Sequence, residues 1–118
     1  MIRTGDEYRA SIRDGRNVWI NGEKVEDPTV HPQMKPIIDV RARIYDMQHQ
    51  VKTQSVMTYK DKGERHAIGL RFPHEPKDWQ DKREAVDLVM NEVGGVVTRV
   101  GDETIGEMWS LRDGKDIL

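Results

Sequence analysis

Cysteine is absent from the 118 residues. That absence removes disulfides, thiolate metal sites, iron–sulfur ligation and cysteine nucleophiles together. Aromatic residues are scarce, with one Phe, three Trp and three Tyr. No apolar run approaches the roughly 20 residues of a membrane span, and the opening Met1-Ile2-Arg3-Thr4-Gly5-Asp6-Glu7 contains no apolar signal core. Neither sign of charge dominates. Nineteen basic and 21 acidic residues leave a formal net charge of −2, and the signs alternate along the chain, so there is no basic field for nucleic acid or a membrane surface. A cytoplasmic protein with no nucleic-acid and no membrane partner is the expectation.

What the chain has in quantity is polarity, with 34% charged and 36% hydrophobic residues. A single domain of this length supports a modest core. With so little apolar material, part of its surface is expected to be covered by something else.

Local signals set out the elements. Thr4 and Glu7 have capping-box spacing, in which each side chain meets the other's backbone amide. The short helix they open carries Tyr8 and Ile12 one turn apart and closes at Gly15. Val18-Trp19-Ile20 and Glu23-Lys24-Val25 flank Asn21-Gly22, the preferred type I′ pair, and predict a hairpin. Asp27-Pro28-Thr29-Val30-His31-Pro32 is a connector that no helix crosses. A helix is predicted from Gln33 to His49, with Pro36 tolerated in its first turn and Met34, Ile37, Ile38, Ile44, Tyr45 and Gln48 near one side. Ser55 to Tyr59 reads as extended, Asp61-Lys62-Gly63-Glu64 as a turn, and His66 to Phe72 as the returning strand of a second hairpin. After Pro73 and Pro76, Asp78 is predicted to cap a helix from Trp79 to Val93, with Trp79, Arg83, Val86, Met90 and Val93 as its apolar stripe. Asp102 is expected to cap a last short helix through Ile105, Met108, Trp109 and Leu111, ended by Asp113-Gly114.

The chemistry legible from residue types is thin. His31, His49, His66 and His74 lie in four segments without paired ligand spacing, so a metal site is not expected. Asp6-Glu7, Glu26-Asp27 and Asp102-Glu103 sit where capping explains them. No glycine-rich loop has the strand–loop–helix setting of a phosphate or dinucleotide site. Trp19, Trp79 and Trp109 are expected to pack in the core. The stretch of most interest is Val93-Gly94-Gly95-Val96-Val97-Thr98-Arg99. Two glycines allow a close approach, and Arg99 offers a rigid fork of donors suited to a phenolate, carboxylate or phosphate. A helix C-terminus stopped by glycine explains the same residues.

Longer motifs carry a resemblance. Arg3-Thr4-Gly5-Asp6-Glu7-Tyr8, Ile12-Arg13-Asp14-Gly15-Arg16-Asn17-Val18-Trp19-Ile20-Asn21-Gly22, Asp27-Pro28, His31-Pro32, Ala42-Arg43-Ile44-Tyr45-Asp46 and Lys82-Arg83-Glu84-Ala85 through Gly94-Gly95 to Arg99 together resemble the start of one flavoprotein family. This is the oxygenase component of 4-hydroxyphenylacetate 3-monooxygenase, with its chlorophenol monooxygenase relatives. The resemblance implies an α+β, mainly α-helical domain like the N-terminal helical domain of acyl-CoA dehydrogenases, carrying two small β-hairpins. It implies that residues 1–118 form one such domain, with the middle β-domain and C-terminal helical bundle absent from this chain. Family members take reduced FAD from a separate reductase, activate oxygen on it and hydroxylate a phenol.

The chain is therefore expected to act as a small subunit, or N-terminal part, of a two-component FADH2-dependent monooxygenase. A larger partner chain would hold the FAD, a flavin reductase would supply it reduced, and the substrate would be a small aromatic or heteroaromatic molecule. The rival expectation is a non-catalytic structural or regulatory subunit that keeps the fold for assembly. By the same resemblance Arg99 is the catalytic and substrate-binding candidate, since an arginine after the glycine pair faces the substrate in a pattern like Arg-Thr/Ser-Pro-Asp-Tyr. Arg99 and Asp102 match that pattern. Val100 and Gly101 replace the hydroxyl residue and proline, and Glu103 stands at the tyrosine as the second substrate-binding candidate. A carboxylate there exchanges a donor for an acceptor and suits an amine or N–H heterocycle. The same fold occurs in 4-hydroxybutyryl-CoA dehydratase, whose iron–sulfur chemistry the lack of cysteine excludes.

Overall fold

Thr4 opens the first helix in the way its spacing to Glu7 predicts. In the computed structural model, which describes residues 2–95 and 102–117 (102–105 by backbone alone), the Glu7 amide donates to Thr4 Oγ1 at 3.2 Å. The Thr4 amide in turn donates to Glu7 Oε2 at 2.7 Å. The helix, α1, spans Gly5–Ser11. Gly5 is where α1 meets the next helix, α2 (Lys35–Met47). A Cβ at Gly5 would stand 2.7 Å from the Ala42 carbonyl oxygen, so only glycine lets the two backbones come this close. Its amide donates to Asp46 Oδ1 at 2.8 Å, and Tyr8 packs on Tyr45 with ring centres 5.0 Å apart.

Between the two helices, β1 (Val18–Ile20) and β2 (Glu23–Val25) pair antiparallel, Val18 opposite Val25 and Ile20 opposite Glu23. Asn21 and Gly22 take φ of 52° and 84°, the left-handed pair that a type I′ turn requires. Helix α2 carries Pro36 in its first turn, where a missing N–H costs nothing. Its ends fall within two residues of the predicted Gln33–His49.

The next segment corrects the sequence reading. Ser55 to Met57 are not extended. Gln54–Met57 form a helical turn, α3, and the strand starts only at Thr58. The turn is tied to the end of α2 by the Gln54 side-chain amide, which donates to the Gln48 carbonyl at 3.2 Å. It drives Met57 into the core, 3% exposed. Tertiary burial overrides the β-propensity of Ser-Val-Met-Thr. Strands β3 (Thr58–Asp61) and β4 (Glu64–Ala67) then pair in register, Thr58 opposite Ala67. The returning strand ends at Ala67, short of the predicted Phe72, because Ile68–Leu70 tighten into a 3₁₀ turn.

Helix α4 spans Pro76–Glu92 with Glu75 at the N-cap, so Asp78 lies in the first turn and is not the cap. Pro76 at the first helical position is pre-set for the helix. The buried face of α4 is Asp78, Lys82, Ala85 and Val89, one step round from the predicted stripe. Trp79 and Arg83 are exposed, and Val86, Met90 and Val93 are half-buried. Charged residues on the inner face are unexpected from pattern alone and need partners. Asp78 finds them, as described below, and the Lys82 ammonium lies 5.4 Å from the centre of the Trp79 ring.

The core is small: Ile44 and Met47 from α2, Met57 from α3, Ile68 from the 3₁₀ turn, and Ala85 and Val89 from α4. The larger of these side chains each contribute on the order of 1.5–3 kcal/mol by leaving water. The tryptophans do not share in it as expected: Trp19 and Trp79 are 62% and 59% exposed. Trp109, on the last helix α5 (Asp102–Asp113), is half-buried edge-on to Phe72 with ring centres 5.2 Å apart. Helices outweigh strands, and the two sheets are separate two-stranded hairpins, in accord with a mainly α-helical α+β class. Among the described residues no helix is long and apolar enough to cross a membrane.

Candidate functional site

The stretch singled out by sequence begins where α4 stops. Val93 is the C-cap, and Gly94 and Gly95 follow with φ of 68° and 73°. The Gly95 amide donates back to the Met90 carbonyl at 2.8 Å, the long bond of a Schellman stop. A Cβ at either glycine would meet nothing within 4 Å. Positive φ explains why glycine stands there, and crowding does not. Arg99 lies in the segment 96–101, outside the described residues. Glu103 is placed by its backbone in the first turn of α5, with its side chain outside the description. The two candidate site residues therefore carry no geometry of their own, and the described part of the site is the helix that delivers the chain to them.

The start of that helix is held by a charge cluster that sequence reading treated only as a cap. Asp78 Oδ2 accepts from the His74 amide at 2.7 Å and from the Glu75 amide at 3.2 Å. Oδ1, buried and without a hydrogen bond of good geometry, faces Arg71 Nη2 at 2.6 Å as an ion pair. The backbone donation from His74 is the main reason the carboxyl titrates below the ordinary range; burial opposes it, while Glu75 and Arg71 assist. Arg71 also reaches Asp81 at 3.2 Å, and its guanidinium carbon lies 6.0 Å from the Tyr59 ring centre. One arginine thus locks the second hairpin to α4, fixing the direction in which α4 points its glycine pair.

A second concavity is built from residues that sequence spacing did not connect. Between α2, the 3₁₀ turn and α4 lies a cleft of about 300 Å³. Ile44, Met57, Ile68 and Val89 form its floor, and Arg3, Arg41 and Tyr45 are on its rim. Arg3 is set by contacts with Ser11, Tyr8 and Tyr45. It donates to Tyr45 Oη at 2.8 Å and to Ser11 Oγ at 3.2 Å, and its guanidinium carbon lies 4.6 Å from the centre of the Tyr45 ring. The signal that marks this cleft in the sequence is Arg3 together with Ala42-Arg43-Ile44-Tyr45, but nothing local says that they meet.

His66 packs on Tyr59 and His74 on Phe72, and among the described residues no group of three His, Asp or Glu is placed to hold a metal ion. Neither the glycine pair nor the start of α4 fits the diphosphate of FAD. A diphosphate seeks a helix N-terminus with free amides, whereas the glycine pair here closes a helix at its negative end. The two amides leading into α4 are already met by the Asp78 carboxylate.

Comparison with known proteins accords with this architecture. The family model described as 4-hydroxyphenylacetate 3-hydroxylase N terminal matches residues 4–118. The chain is 36% identical to the 4-hydroxyphenylacetate 3-monooxygenase oxygenase component of Thermus thermophilus over 103 residues, 86% of this chain and 21% of the relative. It is likewise 36% identical to the 2,4,6-trichlorophenol monooxygenase of Cupriavidus pinatubonensis, over 80% of this chain and 19% of that one. The chain therefore spans about a fifth of the length of these relatives.

Among solved structures, the oxygenase component of 4-hydroxyphenylacetate 3-monooxygenase superposes with a TM-score of 0.79 at 36% identity, covering 85% of this chain and 22% of that one. The same protein complexed with FAD and 4-hydroxyphenylacetate gives 0.72, over 76% of this chain and 19% of that one. An archaeal 4-hydroxybutyryl-CoA dehydratase from N. maritimus, 23% identical with a TM-score of 0.68 over 78% of this chain and 19% of that one, shares the fold. With the match running from the Thr4 cap through the glycine stop and beyond α5, the chain belongs to the 4-hydroxyphenylacetate 3-hydroxylase family, in that family's N-terminal region.

Proposed function

We propose that this chain supplies one wall of the substrate pocket in a two-component, reduced-flavin-dependent monooxygenase acting on an aromatic or heteroaromatic substrate. The observation that carries the reading is the family match over residues 4–118, a span that includes the α4 stop, Arg99 and Glu103. Arg99 contacts the substrate or the reacting edge of the flavin, and Glu103 accepts a hydrogen bond from the substrate. When bound, the reduced flavin supplies the oxygen-activating chemistry. This chain's part is to orient the substrate and to offer a fixed positive charge to an anionic oxygen.

The flavin is held mainly by a larger partner chain bearing the β-domain and helical bundle, and a separate reductase keeps it reduced. Two features support dependence on a partner: neither the glycine pair nor the start of α4 fits the FAD diphosphate, and α4 presents Trp79 to solvent beside the half-buried Val86 and Met90. A stable complex covering that face would bury on the order of 2,000 Å² or more.

The test is kcat/KM of the reconstituted complex carrying Arg99→Ala, with assembly followed by gel filtration. Loss of a charge-assisted contact of about 1.5–3 kcal/mol lowers kcat/KM roughly 10- to 150-fold with assembly intact. If assembly and kcat/KM both stay at the parent level, Arg99 is a surface cation and the chain is a structural subunit.

A further inference from the structure

We propose that Asn21-Gly22, the turn of the first hairpin, is a self-modification site gated by opening of that hairpin. In the open hairpin the Gly22 amide nitrogen attacks the carboxamide carbon of Asn21. A C–N bond forms, the bond to the side-chain nitrogen breaks, and ammonia leaves with the proton that the backbone amide gives up. Water then opens the five-membered imide. Cleavage at the side-chain carbonyl leaves an aspartyl residue. Cleavage at the main-chain carbonyl leaves an isoaspartyl one, with an extra methylene in the backbone. One water enters, one ammonia departs, and nothing is oxidised or reduced. Three observations lead there. First, asparagine is followed by glycine, so no side chain hinders the attacking nitrogen, and both residues are exposed. A Cβ at Gly22 would meet nothing within 4 Å, so the junction has open space in which to rearrange. Second, the bond that closes a four-residue turn joins its first and last residues, here the paired Ile20 and Glu23. Closing the turn does not call on the Gly22 amide. Third, the hairpin is thinly held: of its six strand residues Val25 alone is buried, and Arg13 fastens its far end through Asp27 at 3.0 Å.

The folded turn is itself the brake. Asn21 stands at a φ of 52°, and the ψ of that left-handed region turns the Gly22 nitrogen to the far side of the Cα–C bond from the Asn21 side chain. Ring closure therefore waits on local opening, which is most frequent where few apolar contacts hold an element. No other position combines these features. Asn17 precedes Val18, whose branched Cβ crowds its amide. Asn91 lies inside α4, where i to i−4 bonds hold the backbone. Asp14 is followed by Gly15, but its carboxyl, pulled down to about 2 chiefly by the Arg16 side-chain hydrogen bond, is ionised at neutral pH and is a poor target for a nucleophile. The isoaspartyl product also changes the hairpin. Turn length sets strand register, so an added methylene removes the preference for Val18 opposite Val25 and turns a transient opening into a lasting one.

The test incubates the full 118-residue chain at mildly alkaline pH and follows each asparagine by peptide mass spectrometry, with fragmentation that separates aspartyl from isoaspartyl products. No flavin and no turnover are involved, so the outcome is independent of the monooxygenase reading. Asn21 is expected to convert at least about tenfold faster than Asn17 and Asn91, a barrier lower by about 1.4 kcal/mol, and to yield isoaspartyl product. The modified fraction should lose the Val18–Val25 cross-strand NOE. Asp27→Asn removes the carboxylate that fastens the hairpin and should speed conversion at Asn21; the substituted residue precedes Pro28, which has no N–H and so adds no second site. Asn21→Gln, which would need a six-membered ring, should abolish conversion at this position. If Asp27→Asn fails to fold, Arg13→Gln breaks the same fastening from its other side. Conversion at Asn21 no faster than at Asn17, aspartyl product without isoaspartyl, or a rate that stays the same when the fastening is broken would each overturn the proposal.

Discussion

The two hairpins share a turn and differ in everything that follows from burial. Asn21-Gly22 and Lys62-Gly63 both take left-handed φ, 52° and 84° in the first and 48° and 86° in the second, and neither glycine has an atom near its missing Cβ. Yet the first hairpin places one side chain, Val25, among the buried residues and leaves Trp19 in solvent. It is fastened from outside: Arg13 pairs with Asp27 at 3.0 Å, and the Asp27 carboxylate gathers the Thr29 amide and hydroxyl. The second hairpin is rooted in the core. Met57 precedes it, Ile68 follows it, and Thr58 at its base is buried and accepts from Arg65 at 2.9 Å. Turn chemistry decides that a hairpin forms; what its ends bury decides how firmly it is held.

That contrast is broken or sharpened most strongly at Met57. Met57→Ala removes a core side chain from the root of the second hairpin and should cost about 2–5 kcal/mol in chemical denaturation. Trp19→Ala, despite the larger side chain, should stay within about 0.5 kcal/mol, since Trp19 is exposed. Comparable losses for the two would mean that the first hairpin is as deeply integrated as the second.

A subtler contrast lies in the turns. Alanine at Gly22 or Gly63 meets the same strain, about 1–2 kcal/mol for a left-handed residue with a Cβ. In the second hairpin that strain cannot relax without disturbing the core, so Gly63→Ala should lower global stability by roughly that amount. In the first it should relax by local opening, which amide exchange at Val18 and Ile20 will show while the denaturation midpoint hardly moves. Equal shifts of the midpoint would remove the distinction.

The smallest effect is one of pH. The Asp27 carboxyl is held below its ordinary range chiefly by the Thr29 hydroxyl, then by the Thr29 amide, with burial opposing and Arg13 assisting. A depressed folded-state pKa means that the contribution is fully present above the unfolded value of about 3.9. It is lost as pH falls through the lower folded value. Acidification below about pH 4 should therefore loosen the first hairpin's fastening, seen as weakening of the Val18–Val25 cross-strand NOE, and Asp27→Asn should show the loosened state at neutral pH. Loosening that sets in well above pH 5 would assign the effect to another group.

Reading the sequence succeeded where a few neighbouring residues settle the matter. Thr4 with Glu7, Asn21-Gly22, the glycine pair after α4 and the Asp102–Asp113 helix each rest on contacts within about one turn. It failed where distant residues decide. The segment Ser55–Met57 looks like a strand by composition and is a helical turn, because Met57 has to reach Met47 and Val89. On α4 the predicted stripe included Trp79 and left out Asp78, read as the cap, and Lys82; the structure exposes the first and buries the other two. Asp78 is kept inside by two backbone donors and an arginine seven residues earlier, and no periodicity of apolar residues registers that exchange. The candidate site divides the same way: the stretch to Arg99 stood out by residue type, its role and that of Glu103 came only through family resemblance, and nothing local showed that Arg3 and Arg41 meet at one cleft.

By itself the sequence determined much of the punctuation of this protein: where the first helix is capped, where the first hairpin turns, where α4 stops before Arg99, and which chemistries a cysteine-free chain forgoes. Those follow from sterics and hydrogen bonds between near neighbours, which are the same in any context. Only the tertiary structure decided which face of α4 turns inward, that Gly5 is the contact point of two helices, and that Arg3, Arg41 and Tyr45 surround one apolar floor. Burial is a property of the whole packed assembly: each side chain's surroundings are set by residues far away along the chain, and desolvation rewards or penalises it only once they have come together.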